Sequence, residues 1–314
     1  MKILVYGAGV IGSIYAAKLF EAKNDVTLLA RGKRYTSLEQ KGVIIMEHQN
    51  GSKTITQIPL IRQLKPDDFF NLIIITVRLD QVESLIPDLQ NSSSSLILFM
   101  LNNTENFQVI ADELKPKHVI FGFPGVGGVM KEDVIDFIQI KQQKTTLGEI
   151  QGEKSANVKK IKSVFEKAGF ETRISNNIKA WLKTHAIFIS CVCASIIKEN
   201  CDSKQLGKNK KSIQVMVKSI KEGFLALQNL GIPIMPFNLK IIFMIMPKWF
   251  SVLYWQKAMQ SEMGTLAIAP HANAAKGEMQ LLGKKVLKMV HESSLQTPDL
   301  DLLLNEFIKD WEFS

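Results

Sequence analysis

The first thirty residues limit what this chain can fold into more tightly than any other stretch. Met1-Lys2-Ile3-Leu4-Val5-Tyr6 reads as a short buried strand, Gly7-Ala8-Gly9-Val10-Ile11-Gly12 as the turn after it, and Ser13 to Phe20 as a helix. A second strand, Asp25-Val26-Thr27-Leu28-Leu29-Ala30, closes the unit at the spacing a parallel β-α-β crossover needs. Each glycine answers a separate demand. Gly7 makes the tight turn, Gly9 lets the backbone come close to a pyrophosphate, and Gly12 lets the helix pack on the strand. A diphosphate would then rest on the positive end of the helix, against the backbone of Gly7, Ala8, Gly9, Val10, Ile11 and Gly12. The alternative is a domain of this type that has lost its nucleotide.

The end of the second strand selects between cofactors. A carboxylate roughly 20 residues past the glycines would accept the ribose hydroxyls of NAD. This chain has Ala30 and then Arg31, followed by Lys33 and Arg34. A guanidinium pairs bidentately with a ribose phosphate, so NADP(H) is the expected cofactor and Arg31 its recognition residue. Asp25 lies at the wrong end of the strand to compete, and the bland alternative for Arg31 is a solvated loop cation.

Further along, Thr54 to Ile61 looks like an edge strand carrying Pro59, and Leu72 to Val77 like a central parallel strand. A helix is expected from Asp80 through Ile86, a strand over 95–101, a helix from Thr104 to near Leu114 and a strand over 119–123. Strands at 145–148 and 170–174 flank a helix over 155–168. Strands alternating with helices predict a doubly wound sheet with its crevice at the carboxyl ends of the strands. From Ser175-Asn176-Asn177 onward helical periodicity dominates, with long helices over 178–198 and 208–230 and a last one over 299–311. The expectation is therefore a Rossmann-type α/β domain over 1–174 and an all-helical substrate domain over 175–314.

A net charge of +9 would suit an anionic ligand, but the excess lies on helical lysines such as Lys159, Lys160 and Lys162 without interleaved aromatics, which argues against nucleic acid. Cys191, Cys193 and Cys201 are too few and too close together for a disulfide framework, which points to a reducing cytoplasm, and Cys-x-Cys alone is poor evidence for a metal. The apolar runs 186–197 and 241–246 are shorter than the ~20 residues of a membrane span and read as buried helices.

Hydride transfer from a nicotinamide needs an acceptor carbonyl, a proton donor and a group that orients the substrate. Arg78 and Asn103 follow the fourth and fifth strands, where such a fold puts site residues, although Asn103 could equally cap a helix and Arg78 be a surface cation. Lys183, two residues after Trp181, could donate a proton from a desolvated crevice, or simply occupy a solvated face. His271 and Glu278, separated by i, i+7 with Ala274 and Ala275 between, share one helix face with room for a ligand. A close helix contact is the competing reading.

Taken in order, these residues resemble the ketopantoate reductase family, the NADPH-dependent 2-dehydropantoate 2-reductases, over nearly the whole chain. The likeness rests on Gly7-Ala8-Gly9-Val10-Ile11-Gly12, Val77-Arg78-Leu79-Asp80-Gln81, Leu101-Asn102-Asn103, Gly125-Val126-Gly127-Gly128, Trp181-Leu182-Lys183 and Thr297-Pro298. The resemblance implies a Rossmann sheet with an all-α C-terminal domain of the 6-phosphogluconate-dehydrogenase-like type. It implies reduction of ketopantoate to pantoate in pantothenate biosynthesis, with a small 2-oxo acid as partner; from the charge pattern and the short apolar runs no nucleic acid and no membrane are expected, and a homodimer is the assembly considered. By the same resemblance Lys183 is the catalytic lysine, Asn103 and Arg78 lie at the cofactor, and Glu278 binds the substrate. Arg78 replaces a lysine, however, and Ile187 and Cys191 replace asparagines that reach the substrate, so the 2-oxo acid is open. The rival readings are a related hydroxy acid or opine dehydrogenase, and an NADP-binding sensor without turnover.

Overall fold

The computed structural model describes residues 1–104, 107–274 and 276–309, without the side chains of residues 271, 273 and 274. Two compact units divide the chain, one made of Met1–Leu101 and Asn106–Ile178, the other of Asn102–Glu105 and Lys179–Ser314.

In the first unit twelve strands follow one another: β1 (Lys2–Tyr6), β2 (Asp25–Leu29), β3 (Val43–Glu47), β4 (Ser52–Thr56), β5 (Leu60–Ile61), β6 (Leu72–Ile75), β7 (Leu96–Met100), β8 (His118–Phe123), β9 (Val126–Lys131), β10 (Val134–Gln139), β11 (Thr145–Gly148) and β12 (Thr172–Ile174). Eight of them form one sheet in the order β12-β11-β8-β7-β6-β1-β2-β5. From β5 through β2, β1, β6 and β7 to β8 every pairing is parallel. Counted within this sheet, those six strands follow the 3-2-1-4-5-6 order of a dinucleotide-binding fold. β11 then runs antiparallel to β8 and parallel to β12. β1, β6 and β7 are apolar on both faces, and their Leu, Ile, Val and Phe side chains are buried, as covered parallel strands must be.

The other four strands make a second sheet, β4-β3-β10-β9. Helix Val10–Glu21 packs against β1 and β2 of the main sheet and against β3 and β9 of the small one. Being enclosed on both sides, it is buried nearly all round and has no polar face. Tyr15 stacks on Phe170 with ring centres 4.1 Å apart, and its hydroxyl shares a 2.6 Å hydrogen bond with Thr145 Oγ1.

The structure corrects several element boundaries. The edge strand expected over 54–61 is two strands in different sheets, parted at Pro59, which lacks an N–H for the ladder but whose carbonyl accepts from Leu28 N at 2.9 Å. The helix expected from Asp80 is two 3₁₀ turns, Leu79–Gln81 and Glu83–Leu85, and α-helix begins only at Ile86, with Pro87 in its first turn. Gly125 to Gly128 leads into β9, a strand of the small sheet that local periodicity does not announce, because its partner β10 supplies the reason to extend. Of the helix expected from Thr104, Phe107–Glu113 is observed, and residues 105 and 106 lie outside the described residues.

In the second unit every described element is a helix. Ile178–Lys198 is the longest, followed by Ser203–Lys208, Lys210–Asn229, Phe237–Lys240, Lys248–Gln260, Ala269–Ala274, Lys276–His291 and Pro298–Lys309. Two segments, Ile241–Ile245 and Met263–Ile268, are wound as π-helix. The single helix expected over 208–230 is preceded by a separate short one, because Asn209 ends the first and caps the second by accepting from Ser212 N. Among the described residues, Ile178–Lys198 alone is long and apolar enough to cross a membrane, and most of it is buried inside the protein, as a core helix is.

Candidate active site

The glycine turn has the geometry its sequence calls for. Gly7 sits at φ +113°, a backbone conformation that side-chain-bearing residues rarely adopt. A Cβ on Gly12 would lie 1.9 Å from the Gly7 carbonyl oxygen and 2.4 Å from Thr76 Oγ1, so nothing larger than glycine fits there. Gly9 is the opposite case. It is exposed, a Cβ would meet nothing within 4 Å, and it stands at the N-cap of helix Val10–Glu21 with no side chain accepting from the helix's first amides. Amides pointing toward open space at a helix start are an anion site, so the turn fits the diphosphate of a dinucleotide.

Two side chains outside the glycine motif hold this turn down. Thr76, just past β6, donates its hydroxyl toward the carbonyls of Tyr6 (3.2 Å) and Gly7 (3.0 Å). Arg34, in helix Gly32–Lys41, donates Nε to the Ala8 carbonyl at 3.1 Å and Nη2 to Ser13 Oγ at 3.3 Å. Burial lowers the Arg34 pKa, and Asp133, 3.9 Å away at the β9–β10 turn, works against that. Asp133 is itself paired with Lys41 and bonded to Ser37, so the small sheet's hairpin is tied to the helix that supports the glycine turn.

At the end of β2, Arg31 donates Nη2 to Tyr6 Oη at 2.6 Å. Its guanidinium is largely exposed and available to a ligand. Arg78 is also exposed, but is held by Asp80 two residues on, Nε to Oδ1 at 3.3 Å, an internal pairing that a phosphate would have to share. Asn103 is buried. Its neighbours Asn102 and Thr104 are buried too, and their side-chain oxygens Oδ1 and Oγ1 have no hydrogen-bond partner among the described residues. Orphaned polar atoms in buried surroundings are costly, and a bound polar group would satisfy them.

In the helical unit, every residue from Ala180 to Ile196 is buried except Lys183. Lys183 is thus the one opening in the stretch of helix from Ala180 to Ile196. Helical spacing places Ile187 and Cys191 on the same stripe one and two turns on. Both are fully buried. A Cβ on Gly223 of helix Lys210–Asn229 would come within 2.6 Å of Ile187 Cγ2 and 2.9 Å of Leu300 Cδ1, so Ile187 fills a helix–helix seam. Ile187 and Cys191, where the resemblance implies asparagines, are here part of the core. Burial pushes the thiols of Cys191 and Cys193 well above their ordinary range, with nearby Glu222 adding to the rise at Cys191 and Glu278 at Cys193.

Lys183 and Glu278 do not form an ion pair, since among the described residues Lys183 makes none. The carboxylate of Glu278 lies within electrostatic reach of Cys193, about 15 Å along the helix from Lys183 at ~1.5 Å per residue. His271 falls in helix Ala269–Ala274, and its side chain lies outside the described residues. The motif-based reading missed Thr76, Tyr6 and Asp88, which act on the turn and on Arg31, and His185, which stacks on Trp181 with ring centres 5.2 Å apart. Only the i, i+4 spacing of Trp181 and His185 carried any signal in the sequence.

A glycine turn on a 3-2-1-4-5-6 sheet, followed by a helical unit, defines the class by fold as a Rossmann-type dinucleotide-binding architecture. Residues 3–152 match the family model described as Ketopantoate reductase PanE/ApbA, so this part of the chain is similar to the ketopantoate reductases. The 2-dehydropantoate 2-reductases of Pyrococcus abyssi (26% identical) and Pyrococcus horikoshii (29% identical) align with 73% of this chain and cover 75% and 74% of their own lengths. In fold, the chain is similar to D-mandelate dehydrogenase solved with NADH and anilino(oxo)acetate (TM-score 0.78, 16% identity, 99% of this chain and 97% of that one). It is also similar to the 2-dehydropantoate 2-reductase of Methylococcus capsulatus (TM-score 0.72, 16% identity, 100% and 97%).

Proposed function

We propose that this protein reduces a small 2-oxo acid to the corresponding 2-hydroxy acid with NADPH, and that 2-dehydropantoate, giving pantoate for pantothenate biosynthesis in the cytoplasm, is the first substrate to test. The observation that carries this reading is Lys183, the lone unburied residue in an enclosed stretch of helix. A cation maintained there serves chemistry better than it serves packing.

In this reading residues 1–174 hold the nucleotide and residues 175–314 the substrate. The amides at Gly9, Val10 and Ile11 bind the diphosphate, Arg31 a ribose phosphate, and Arg78 and Asn103 further polar groups of the cofactor. When bound, the nicotinamide supplies a hydride to the substrate's C2. Lys183 donates a proton from Nζ to the substrate oxygen as negative charge develops on it. Glu278 orients the substrate directly, without an ion pair to Lys183, and His271 or Arg78 meets its carboxylate. The balance is one 2-oxo acid, one NADPH and one proton consumed, and one 2-hydroxy acid and NADP⁺ formed.

A second reading, in which the substrate is a less hydroxylated 2-oxo acid than ketopantoate, is favoured by Ile187 and Cys191. A buried hydroxyl left unpaired costs about 1–3 kcal/mol per missing partner. NADPH oxidation by the purified protein, run against ketopantoate and a panel of alkyl and aryl 2-oxo acids, separates the two. Turnover that survives Lys183→Ala refutes the proton-donor role, and tight NADPH binding without turnover on any acid favours a sensor.

A further inference from the structure

Three groups converge past the carboxyl ends of β1 and β2. Tyr6 is the last residue of β1, Arg31 follows Ala30 at the end of β2, and Asp88 comes from helix Ile86–Asn91 beyond β6. Arg31 Nη2 donates to Tyr6 Oη at 2.6 Å, and Tyr6 Oη donates onward to Asp88 Oδ2 at 3.2 Å. Arg31 Nη2 lies 3.7 Å from the same carboxylate oxygen, and its guanidinium carbon 5.6 Å from the centre of the Tyr6 ring. Tyr6 is only 2% exposed, whereas the side chains of Arg31 and Asp88 are 58% and 41% exposed. A buried phenol therefore presents one cation and one anion, side by side, to whatever binds at the end of β2.

We propose that Asp88 determines selectivity at the adenosine ribose, narrowing the preference for a 2′-phosphate over a 2′-hydroxyl that Arg31 alone would give. This rests on reading the β1–β2 unit as a dinucleotide site. An NAD-type unit places its acid at the end of the second strand, where it accepts the ribose hydroxyl. Here that position is Ala30-Arg31, and the acid arrives from a different element to stand beside the cation. A 2′-phosphate gripping Arg31 meets the Asp88 carboxylate as a like charge, while a 2′-hydroxyl can donate to it. Tyr6 fixes the spacing by bonding to both partners at once. Partial exposure screens the repulsion, so the effect is about fivefold and does not exclude either cofactor.

The test uses the adenosine halves of the two cofactors as probes, 2′,5′-ADP and 5′-ADP, titrated calorimetrically into the intact protein. No activity is needed. Asp88→Asn keeps the side chain's shape and removes its charge. It is expected to raise the preference for 2′,5′-ADP over 5′-ADP about fivefold, the size of a half-exposed charge pair. Arg31→Ala is expected to lower the same ratio. If Arg31→Ala lowers the ratio while Asp88→Asn leaves it unchanged, or lowers it too, the role given to Asp88 is overturned and the cofactor reading stands. If the unaltered protein binds neither probe, the dinucleotide reading falls and takes this inference with it. A Tyr6→Phe variant checks the relay: loss of the hydroxyl that bridges the two groups should change the ratio in the same direction as Asp88→Asn, by a smaller factor.

Discussion

At the glycine turn, what the protein offers a ligand is backbone, whereas on helix Ile178–Lys198 it offers the end of one side chain. The turn is open at Gly9, where a Cβ would meet nothing described within 4 Å, and it keeps its shape because Gly12 leaves no room for a Cβ. The lysine helix works the other way round. Its walls are closed from Ala180 to Ile196, and only Lys183 reaches out. In the function proposed here, one region would bind through the absence of side chains and the other would act through a single side chain among buried neighbours. Backbone sites tolerate changes in the surrounding residues but not in the glycines, while a side-chain site tolerates neither loss of its group nor rearrangement of its walls.

Four substitutions test that contrast, in order of expected effect. Lys183→Ala should lower kcat by about 100- to 1,000-fold, the range of a lost general acid, with the thermal unfolding profile unchanged. A rise in KM at constant kcat would instead make Lys183 a binding group. Gly12→Val forces a side chain onto the Gly7 carbonyl, and should abolish NADPH binding in a fluorescence titration while destabilising the fold by about 1–3 kcal/mol in urea. Unimpaired binding would mean that the turn does not hold the diphosphate. Ile187→Asn introduces the amide that the resemblance implies at this position, but puts it into the seam with Gly223 and Leu300. It should cost about 1–3 kcal/mol of stability without raising ketopantoate turnover. Improved turnover would show that this face opens to substrate.

The smallest effect belongs to Tyr6. Burial pushes its phenol up from 10.0 to about 12, aided by Asp88 and opposed by Arg31. A phenol in the unfolded chain ionises near pH 10. The folded state therefore holds that proton more tightly, and the stability gained is fully present below about pH 10 and is lost as the pH rises through 12. Tyr6→Phe should flatten that part of the stability curve in alkaline denaturation. An unchanged curve would show that the phenol is not held as the structure has it.

Much of this was legible in order along the chain. The glycine turn, the buried strands, the change to helices after residue 174 and the lysine after Trp181 all show in local patterns, because each depends on neighbours a few residues away. Arg31 stood out because one strand end has a known job. The small sheet did not show, since β3 extends only where β10, some ninety residues on, is there to pair with it. Nor did Asp88, which matters only because the sheet carries Tyr6 between it and Arg31.

Sequence alone thus determined the glycine turn's conformation and the fold that presents it, for a turn's conformation is written into its own glycines. Tertiary structure decided the rest: that Ile187 and Cys191 are packing, that Lys183 stands alone without an ion pair to Glu278, and that a carboxylate flanks the expected phosphate-binding arginine. Burial and charge at a side chain are set by segments distant in sequence, and no local spacing records them.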